Sequence, residues 1–349
     1  MENGVKASRC IIVTGGAGFI GSHLTEELVR SYPTTHVVVI DKLGYCGNLN
    51  NLKACRAHSN FTFVQGDITD LQFCQDVFLR LKPRIIFHLA ARTHVDHSFT
   101  QALDFTKDNI VGTHVLLETL RVLVQKGFPV ERFIHCSTDE VYGESKEGEF
   151  FTEDHPLCPT NPYAATKASA ESLVQSYKTS FQLPIIITRS NNVYGPHQYP
   201  EKVIAKWVLS LLPSGQSQCQ IHGDGTNKRT YIFVHDLVEA FVLIMEKGVI
   251  GHIYNIGSKD ECSNLELAGM LIRRLKGTDS YQKYIHLIQD RPYNDSRYNL
   301  DYEKIIRLGW SPTTPWDEGI ENTIEWYRHM PASYWGQSVE NGDTARPAG

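Results

Sequence analysis

Residues 10–21 read Cys10-Ile11-Ile12-Val13-Thr14-Gly15-Gly16-Ala17-Gly18-Phe19-Ile20-Gly21, an apolar run closed by glycines at 15, 18 and 21. The run has the β-branched content of a buried strand, and the residues from Ile20 to Ser31 have the pattern of a helix. Between them, Gly15 permits a tight turn, Gly18 lets backbone approach a pyrophosphate, and Gly21 lets helix pack closely on strand. The helix N-terminus then offers free N–H groups and a favourable dipole to phosphate. Asp41 closes the next strand, 20 residues beyond Gly21. A carboxylate there suits two ribose hydroxyls and repels a 2′-phosphate, which favours NAD over NADP. Lys42 beside it tempers that preference or simply faces solvent. Asp67 and Ile68 after a third strand read as flanking an adenine, with a helix-start role for Asp67 as the alternative. Leu89, Ala90 and Ala91 end a fourth strand with small residues that allow close approach by a cofactor.

Working outward, strands at 36–41, 61–65, 84–89, 132–136 and 185–189 alternate with helical patterns at 71–81, 102–126 and 162–181. Continuous apolar strands between helices predict a Rossmann-like, doubly wound parallel α/β sheet covered on both faces. After Arg189 the texture turns to loops and shorter elements. The expected division is 1–190 as an NAD-binding domain with an interleaved return around 230–257. Residues 191–229 and 258–330 are then a smaller α/β substrate lobe, and 331–349 a flexible tail.

The chain has 349 residues, 41% hydrophobic and 21% charged, with a net charge of -5. These are values of an ordinary globular protein, and they offer no footprint for nucleic acid. No apolar run reaches the length of a membrane span. Residues 1–9 are polar and lack the apolar core of a secretory signal. The eight cysteines are dispersed without paired spacing, which predicts reduced thiols and a cytoplasmic protein. Cys136 reads as a strand residue and not a nucleophile. The fifteen histidines form no ligand motif, so no metal site is expected.

Two further stretches carry chemistry. Asn161-Pro162 reads as a helix N-cap and first turn, which puts Tyr163 and Lys167 on one helical face. A nearby ammonium lowers a phenol's pKa, so Tyr163 is a candidate base, and Lys167 a candidate holder of a nicotinamide ribose. Ser137, Thr138, Asp139 and Glu140 follow the fifth strand at its carboxyl end, where open α/β sheets bind ligands. Adjacent carboxylates in different surroundings can divide into an acid and a base. An acidic first turn of a helix is the plainer alternative.

From Cys10 to Tyr327 the chain resembles the extended short-chain dehydrogenase/reductase family, and within it the NAD-dependent nucleotide-sugar 4,6-dehydratases. The carriers are Thr14 to Gly21, Ser137 to Gly143, and the Tyr163/Lys167 pair; epimerases of the same fold lack Asp-Glu at that site. The resemblance implies that Thr138, Asp139, Glu140, Tyr163 and Lys167 are catalytic. Tyr163, assisted by Thr138, would deprotonate the glucose 4-hydroxyl while hydride leaves C4. Glu140 would take the C5 proton, Asp139 would protonate the departing 6-hydroxyl, and hydride would return to C6. It also implies cofactor contacts from Gly15, Gly18, Phe19, Ile20, Gly21, Asp41, Lys42, Asp67, Ile68, Leu89, Ala90, Ala91, Thr93, Ser137 and Asn191. Substrate contacts are implied for Thr93, Asn192, Lys202, Arg229, Asn255, Arg291 and Tyr298, with pairing to Asp236 and Asp290 as alternatives for Arg229 and Arg291. His94 reads equally as a structural histidine. Tyr293-Asn294 stands where bacterial dTDP-glucose enzymes tend to carry Gly-His, and looks like eukaryotic-type enzymes, including the dehydratase part of plant rhamnose synthases. Both UDP-glucose and dTDP-glucose fit, because one methyl is worth only about 1–3 kcal/mol. A homodimer through the long helices is also implied. The competing readings are a sugar-nucleotide 4-epimerase or decarboxylase, and a non-catalytic NAD sensor.

Overall fold

The computed structural model describes residues 9–335. Strands β1 (Cys10–Thr14), β2 (His36–Asp41) and β3 (Phe61–Gln65) alternate with α1 (Phe19–Ser31) and precede α2 (Leu71–Leu81). β4 (Ile85–His88), α3 (Val95–Thr100), α4 (Ala102–Phe105) and α5 (Gly112–Gln125) follow, then β5 (Arg132–Thr138), α6 (Pro162–Phe181) and β6 (Ile185–Ser190). The chain continues through β7 (Asn192–Tyr194), α7 (Val203–Leu211), β8 (Cys219–His222), β9 (Lys228–Phe233), α8 (Val234–Lys247) and β10 (Ile253–Ile256). It ends with β11 (Glu261–Ser263), α9 (Asn264–Lys276), β12 (Ile285–Ile288), α10 (Glu303–Leu308) and α11 (Trp316–His329).

Seven strands form one sheet in the order β10-β6-β5-β4-β1-β2-β3, and every pairing is parallel. The order reverses between β1 and β4, and a crevice for a ligand opens at the carboxyl ends of strands flanking such a point. Alternation along each strand fills both faces. Ile11, Val13, Val37, Val39 and Phe87 pack with Leu24 and Leu28 of α1 and Phe241 and Ile244 of α8. Ile12, Val38, Ile40 and Ile86 pack with Phe78, Leu116, Leu120 and Val174 of α2, α5 and α6. A third core, around Tyr194, Trp207, Leu211, Ile221, Leu271 and Ile324, belongs to the later elements. After β7 and β9 the chain returns through α8 to place β10 at the edge of the large sheet.

Three expectations need correction. The helix read over 102–126 runs without a break to Gln125 but is not α throughout: α4 passes through a π-helical stretch, Thr106–Val111, before α5 begins. Apolar periodicity does not register one extra residue in a turn, and π stretches are a tertiary feature. β5 runs two residues past its expected end because Ser137 and Thr138 pair with Arg189 and Ser190 of β6. Residues 331–335 are docked, not a loose tail. The Tyr334 carbonyl accepts from Asn48 Nδ2 (2.6 Å) and Asn50 Nδ2 (2.8 Å), and its hydroxyl donates to Asn51 Oδ1 (2.7 Å). Its ring meets His197 and Trp326, and Trp335 meets Tyr199. The rest of the expected tail, 336–349, lies outside the described residues. Among the described residues no helix is long and apolar enough to cross a membrane.

Candidate active site

A cleft of about 330 Å³ opens at the carboxyl ends of β1, β2, β4 and β5. Its floor is the glycine loop. Gly15 sits at φ +72°, and a Cβ there would stand 2.7 Å from the Cα and N of Ala90. A Cβ on Gly21 would stand 2.3 Å from the Gly15 carbonyl oxygen. At Gly18 the nearest atom is the Gly15 oxygen at 3.2 Å, and no side chain caps the N-terminus of α1. The loop therefore presents bare backbone to the cleft, as an anionic phosphate requires. Asp41 lies on the rim with both oxygens oriented, Oδ2 by Ala17 N–H (3.0 Å) and Oδ1 by Leu43 N–H (2.8 Å). Burial raises its pKa, and those two N–H groups oppose the rise. Phe19, Ile20, Ile68, Leu89, Ala90, Ala91 and Thr93 line the cleft as well.

Two residues expected at the cofactor are placed differently. Lys42 reaches the wall, but its ammonium is bound to Asp108 Oδ1 (2.7 Å) and Asp67 Oδ2 (3.4 Å). Asp67 is not among the lining residues; its Oδ1 accepts from Thr69 N–H (2.9 Å). The helix-capping role considered for it belongs to Asp70, which accepts from Phe73 N–H.

The reacting groups converge from β5, the 3-10 turn Asp139–Tyr142 and α6. Asn161 Oδ1 caps α6 through Ala164 N–H (2.9 Å), and Pro162 opens the helix. This turns Tyr163 and Lys167 toward the sheet, where they are 7% and 6% exposed. Thr138 caps the following turn through Glu140 N–H (3.3 Å) and donates to Asp139 Oδ1 (3.1 Å). Asn191 Nδ2 donates to Asp139 Oδ2 (2.8 Å), and Asn161 Nδ2 to Glu140 Oε2 (3.1 Å). Both carboxyls are pushed up by burial. Asp139 reaches about 7, with the charge of Glu140 adding to the rise. Glu140 is restrained by Asn161, Arg229, Lys202 and Arg291. The two adjacent buried carboxyls thus stand in different surroundings, Asp139 held by Asn191 and Thr138 and Glu140 by Asn161 near three cations, a difference that can divide acid from base. Ser137, Thr138, Glu140, Tyr163 and Lys167 line the cleft, whereas Asp139 lies just behind, 2% exposed.

The Tyr163 phenol is raised by burial and by the charges of Glu140, Cys136 and Asp139, and its hydrogen bond with Thr138 opposes the rise. The Lys167 ammonium donates to the Cys136 carbonyl (2.6 Å). Spacing places a pair on one helical face but does not decide where a four-carbon stem ends.

On the other wall stand Asn191, Asn192, Lys202 and Tyr231, with Tyr45, Cys46 and Glu201. Lys202 Nζ donates to the Thr93 carbonyl (2.6 Å) and so joins the two walls. Arg229 does not pair with Asp236, which accepts from Thr313 and Thr314. Its guanidinium binds the Asp295 carbonyl (2.9 Å) and Asn294 Oδ1 (3.2 Å) over the Tyr298 ring. Arg291 pairs with Asp96 (2.6 Å). Arg229, Arg291 and Tyr298 lie outside the lining, though both guanidiniums act on Glu140. Asn255 is a clear correction. It is fully buried, accepts from Tyr142 Oη (2.8 Å), and donates to Phe151 O (2.8 Å) and Asp301 O (2.9 Å). It has no group left for a ligand. Sequence reasoning missed Tyr45, Cys46 and Tyr231, for which no local signal exists, and Asn161 as a holder of Glu140, because its capping role hid the second one.

The GDP-mannose 4,6 dehydratase family profile matches residues 12–323. The mouse protein named dTDP-D-glucose 4,6-dehydratase is 49% identical over 321 residues, covering 91% of this chain and 88% of that protein. An Arabidopsis thaliana trifunctional protein, UDP-glucose 4,6-dehydratase/UDP-4-keto-6-deoxy-D-glucose 3,5-epimerase/UDP-4-keto-L-rhamnose-reductase, is 48% identical over 328 residues. Those cover 93% of this chain and 48% of that protein, so the likeness is to about half of it. The crystal structure of DesIV, a dTDP-glucose 4,6-dehydratase from Streptomyces venezuelae with NAD and TYD bound, superposes with a TM-score of 0.87 at 38% identity. It covers 95% of this chain and 100% of that one. With a glycine cradle, a Tyr/Lys pair and Glu140 lining one cleft and Asp139 directly behind it, the chain belongs to the NAD-dependent nucleotide-sugar 4,6-dehydratases of the extended short-chain dehydrogenase/reductase family.

Proposed function

We propose that this cleft converts an NDP-glucose, UDP-glucose or dTDP-glucose, to the NDP-4-keto-6-deoxyglucose. The observation that carries this reading is the division of two adjacent buried carboxyls between different partners beside Tyr163, Asp139 on Asn191 and Thr138 and Glu140 on Asn161. An epimerase needs no such division.

The residues present fit NAD. A Cβ would fill the cradle at Gly15 and Gly21, and the fixed Asp41 carboxylate stands where it favours an unphosphorylated ribose. Held by the glycine cradle and Asp41, NAD would supply a hydride acceptor that is regenerated within the cycle, so the net change is the loss of water. Tyr163 Oη, hydrogen-bonded to the Thr138 hydroxyl, would take the proton of the 4-hydroxyl as its phenolate, a state that burial disfavours and that the positive nicotinamide of bound NAD would favour. Oxidation at C4 acidifies the C5–H, and the Glu140 carboxylate, oriented by Asn161, removes that proton and gives it back to C5 as hydride returns to C6. Asp139 gives its proton to the departing 6-hydroxyl, because hydroxide is a poor leaving group without an acid. Asn191 and Thr138 hold the two Asp139 oxygens in place for that transfer. Lys167, anchored on the Cys136 carbonyl, orients the nicotinamide side of the site, and Lys202 holds the two walls together across the sugar. Arg229 and Arg291 stand behind the lining, bound to Asp295 and Asn294 and to Asp96, and would act on the diphosphate through their positive charge alone.

The large-sheet lobe then carries the cofactor, with 230–257 returning to it, and the lobe built on the third core carries the substrate. Val111 ahead of α5 and Phe181 ending α6 are exposed apolar residues, which supports a homodimer through those helices. The eight cysteines are all free, which supports a reducing, cytoplasmic setting.

The test is incubation of purified protein with UDP-glucose and with dTDP-glucose, without added NAD, followed by mass spectrometry and NMR. Loss of one water with a 4-keto product is expected, and the faster substrate identifies the base. An unchanged mass with a galactose-configured product would refute the acid–base assignment, and NAD retained without turnover of either sugar would favour a sensor.

A further inference from the structure

His94 is the N-cap of α3, and His97 lies one turn further on, so both imidazoles are on one side of the same short helix. Their rings are 4.3 Å apart and nearly perpendicular, at 88°. Glu201 arrives from the loop before α7, on the other wall of the cleft. One ligand atom from each of the three lies within 4.8 Å of the others. The Glu201 carboxylate is fixed at one end only: Oε1 accepts from Tyr45 Oη (3.0 Å), while Oε2 is buried without a hydrogen-bond partner. An oriented carboxylate with an unused buried oxygen, beside two imidazoles, is the donor set of an open zinc-type site.

We propose that His94, His97 and Glu201 bind a borderline divalent cation such as Zn²⁺, and that the bound ion draws the 199–202 loop against α3 and obstructs the sugar-nucleotide side of the cleft. Zn–N and Zn–O bonds of about 2 Å set ligand separations of about 3.3 Å, so the three groups close by about 1.5 Å at most when an ion enters. The surrounding charge selects the metal. Asp96 and Glu201 are offset by Lys202 and Arg291, so a hard cation that depends on net negative charge gains little here. Imidazole nitrogen is what distinguishes the site, and it favours zinc over magnesium or calcium. Glu201 and Lys202 both line the cleft, so an ion on Glu201 competes directly with substrate. The effect on turnover rests on the dehydratase reading; the binding does not.

The experiment is calorimetric titration of chelator-treated holoprotein with ZnCl₂, with MgCl₂ as control, repeated on His97→Asn and Glu201→Gln. One zinc per chain is expected, with affinity at least tenfold weaker in each variant and no magnesium heat. Turnover assays follow at rising zinc. In the parent protein zinc should raise the apparent KM and leave kcat unchanged. His97→Asn, which does not line the cleft, should keep its basal kcat/KM within about twofold and lose zinc inhibition. Equal zinc affinity in parent and both variants would place the ion elsewhere, on a cysteine for instance, and overturn the site. Binding at this site without competition would overturn the obstruction. A protein inactive on every sugar nucleotide, yet showing the variant-sensitive titration, would refute the functional reading and leave the metal site standing.

Discussion

Asp139→Asn should stabilise the protein while abolishing its activity. The native fold holds this carboxyl at a pKa of about 7, against 3.8 unperturbed. Below pH 3.8 the carboxyl is neutral in folded and unfolded chains alike and costs nothing. As pH rises, the unfolded chain ionises first, and native stability falls until pH passes 7; above that the loss is constant. At about 1.4 kcal/mol per pKa unit the full loss is ~4 kcal/mol, and at pH 5 it is still only ~2 kcal/mol. An asparagine at 139 carries no charge and escapes this penalty. Its partners can still be satisfied, because its Oδ1 can accept from Asn191, and its amide can donate to the Thr138 hydroxyl. The assay is thermal unfolding of the holoprotein from pH 5 to 8.5. The Tm advantage of the variant should grow with pH, to about 5 °C at pH 8 for a chain of this size. Turnover should fall by about 10²–10⁴-fold with the loss of the acid. A variant less stable than the parent at pH 8, or an advantage that does not change with pH, would refute the assignment of the proton to Asp139.

Gly15→Ala should lose the cofactor, because φ is +72° and Ala90 backbone leaves no room for a Cβ, whereas Gly18→Ala meets only one oxygen at 3.2 Å. The check is the NAD absorbance of each purified variant, and equal retention in both would contradict the cradle. Glu171→Gln should cost about 3–5 kcal/mol in denaturant melts by leaving a buried guanidinium unpaired. Arg189 donates to Glu171 through Nε (3.1 Å) and Nη2 (2.6 Å), and the two side chains are 3% and 1% exposed; a loss under about 1 kcal/mol would show that the pair relaxes. Tyr334→Phe should cost about 1 kcal/mol for its bond to Asn51, and Tyr334→Ala more, with faster proteolysis of the 44–51 loop. Unchanged cleavage would mean that the docked 331–335 segment does not brace that wall.

Much of this protein was legible locally. Apolar runs of four to six residues define strands whatever surrounds them, glycine at 15 is demanded by one backbone angle, and Asn161-Pro162 starts a helix by its own chemistry. Those features carried the parallel sheet, the cradle, and the Tyr163/Lys167 and Asp139/Glu140 pairs, because each depends on neighbours within a turn or a strand. What needed the tertiary structure is every property that depends on burial and on distant partners. The Asp139 carboxyl is pushed up because the fold buries it beside Glu140, while Asn191, 52 residues away, holds its Oδ2 and opposes the rise. Lys42 and Arg291 are diverted by Asp108 and Asp96, Asn255 is consumed by Tyr142, Phe151 and Asp301, and the 331–335 segment finds its aromatic partners only after both lobes are built. Glu201 comes within 4.8 Å of His94 and His97 only because the fold sets the two walls of the cleft face to face. Backbone preference is written residue by residue, but a pKa, an ion pair or a ligand set belongs to a volume, and only the folded chain decides which residues share one.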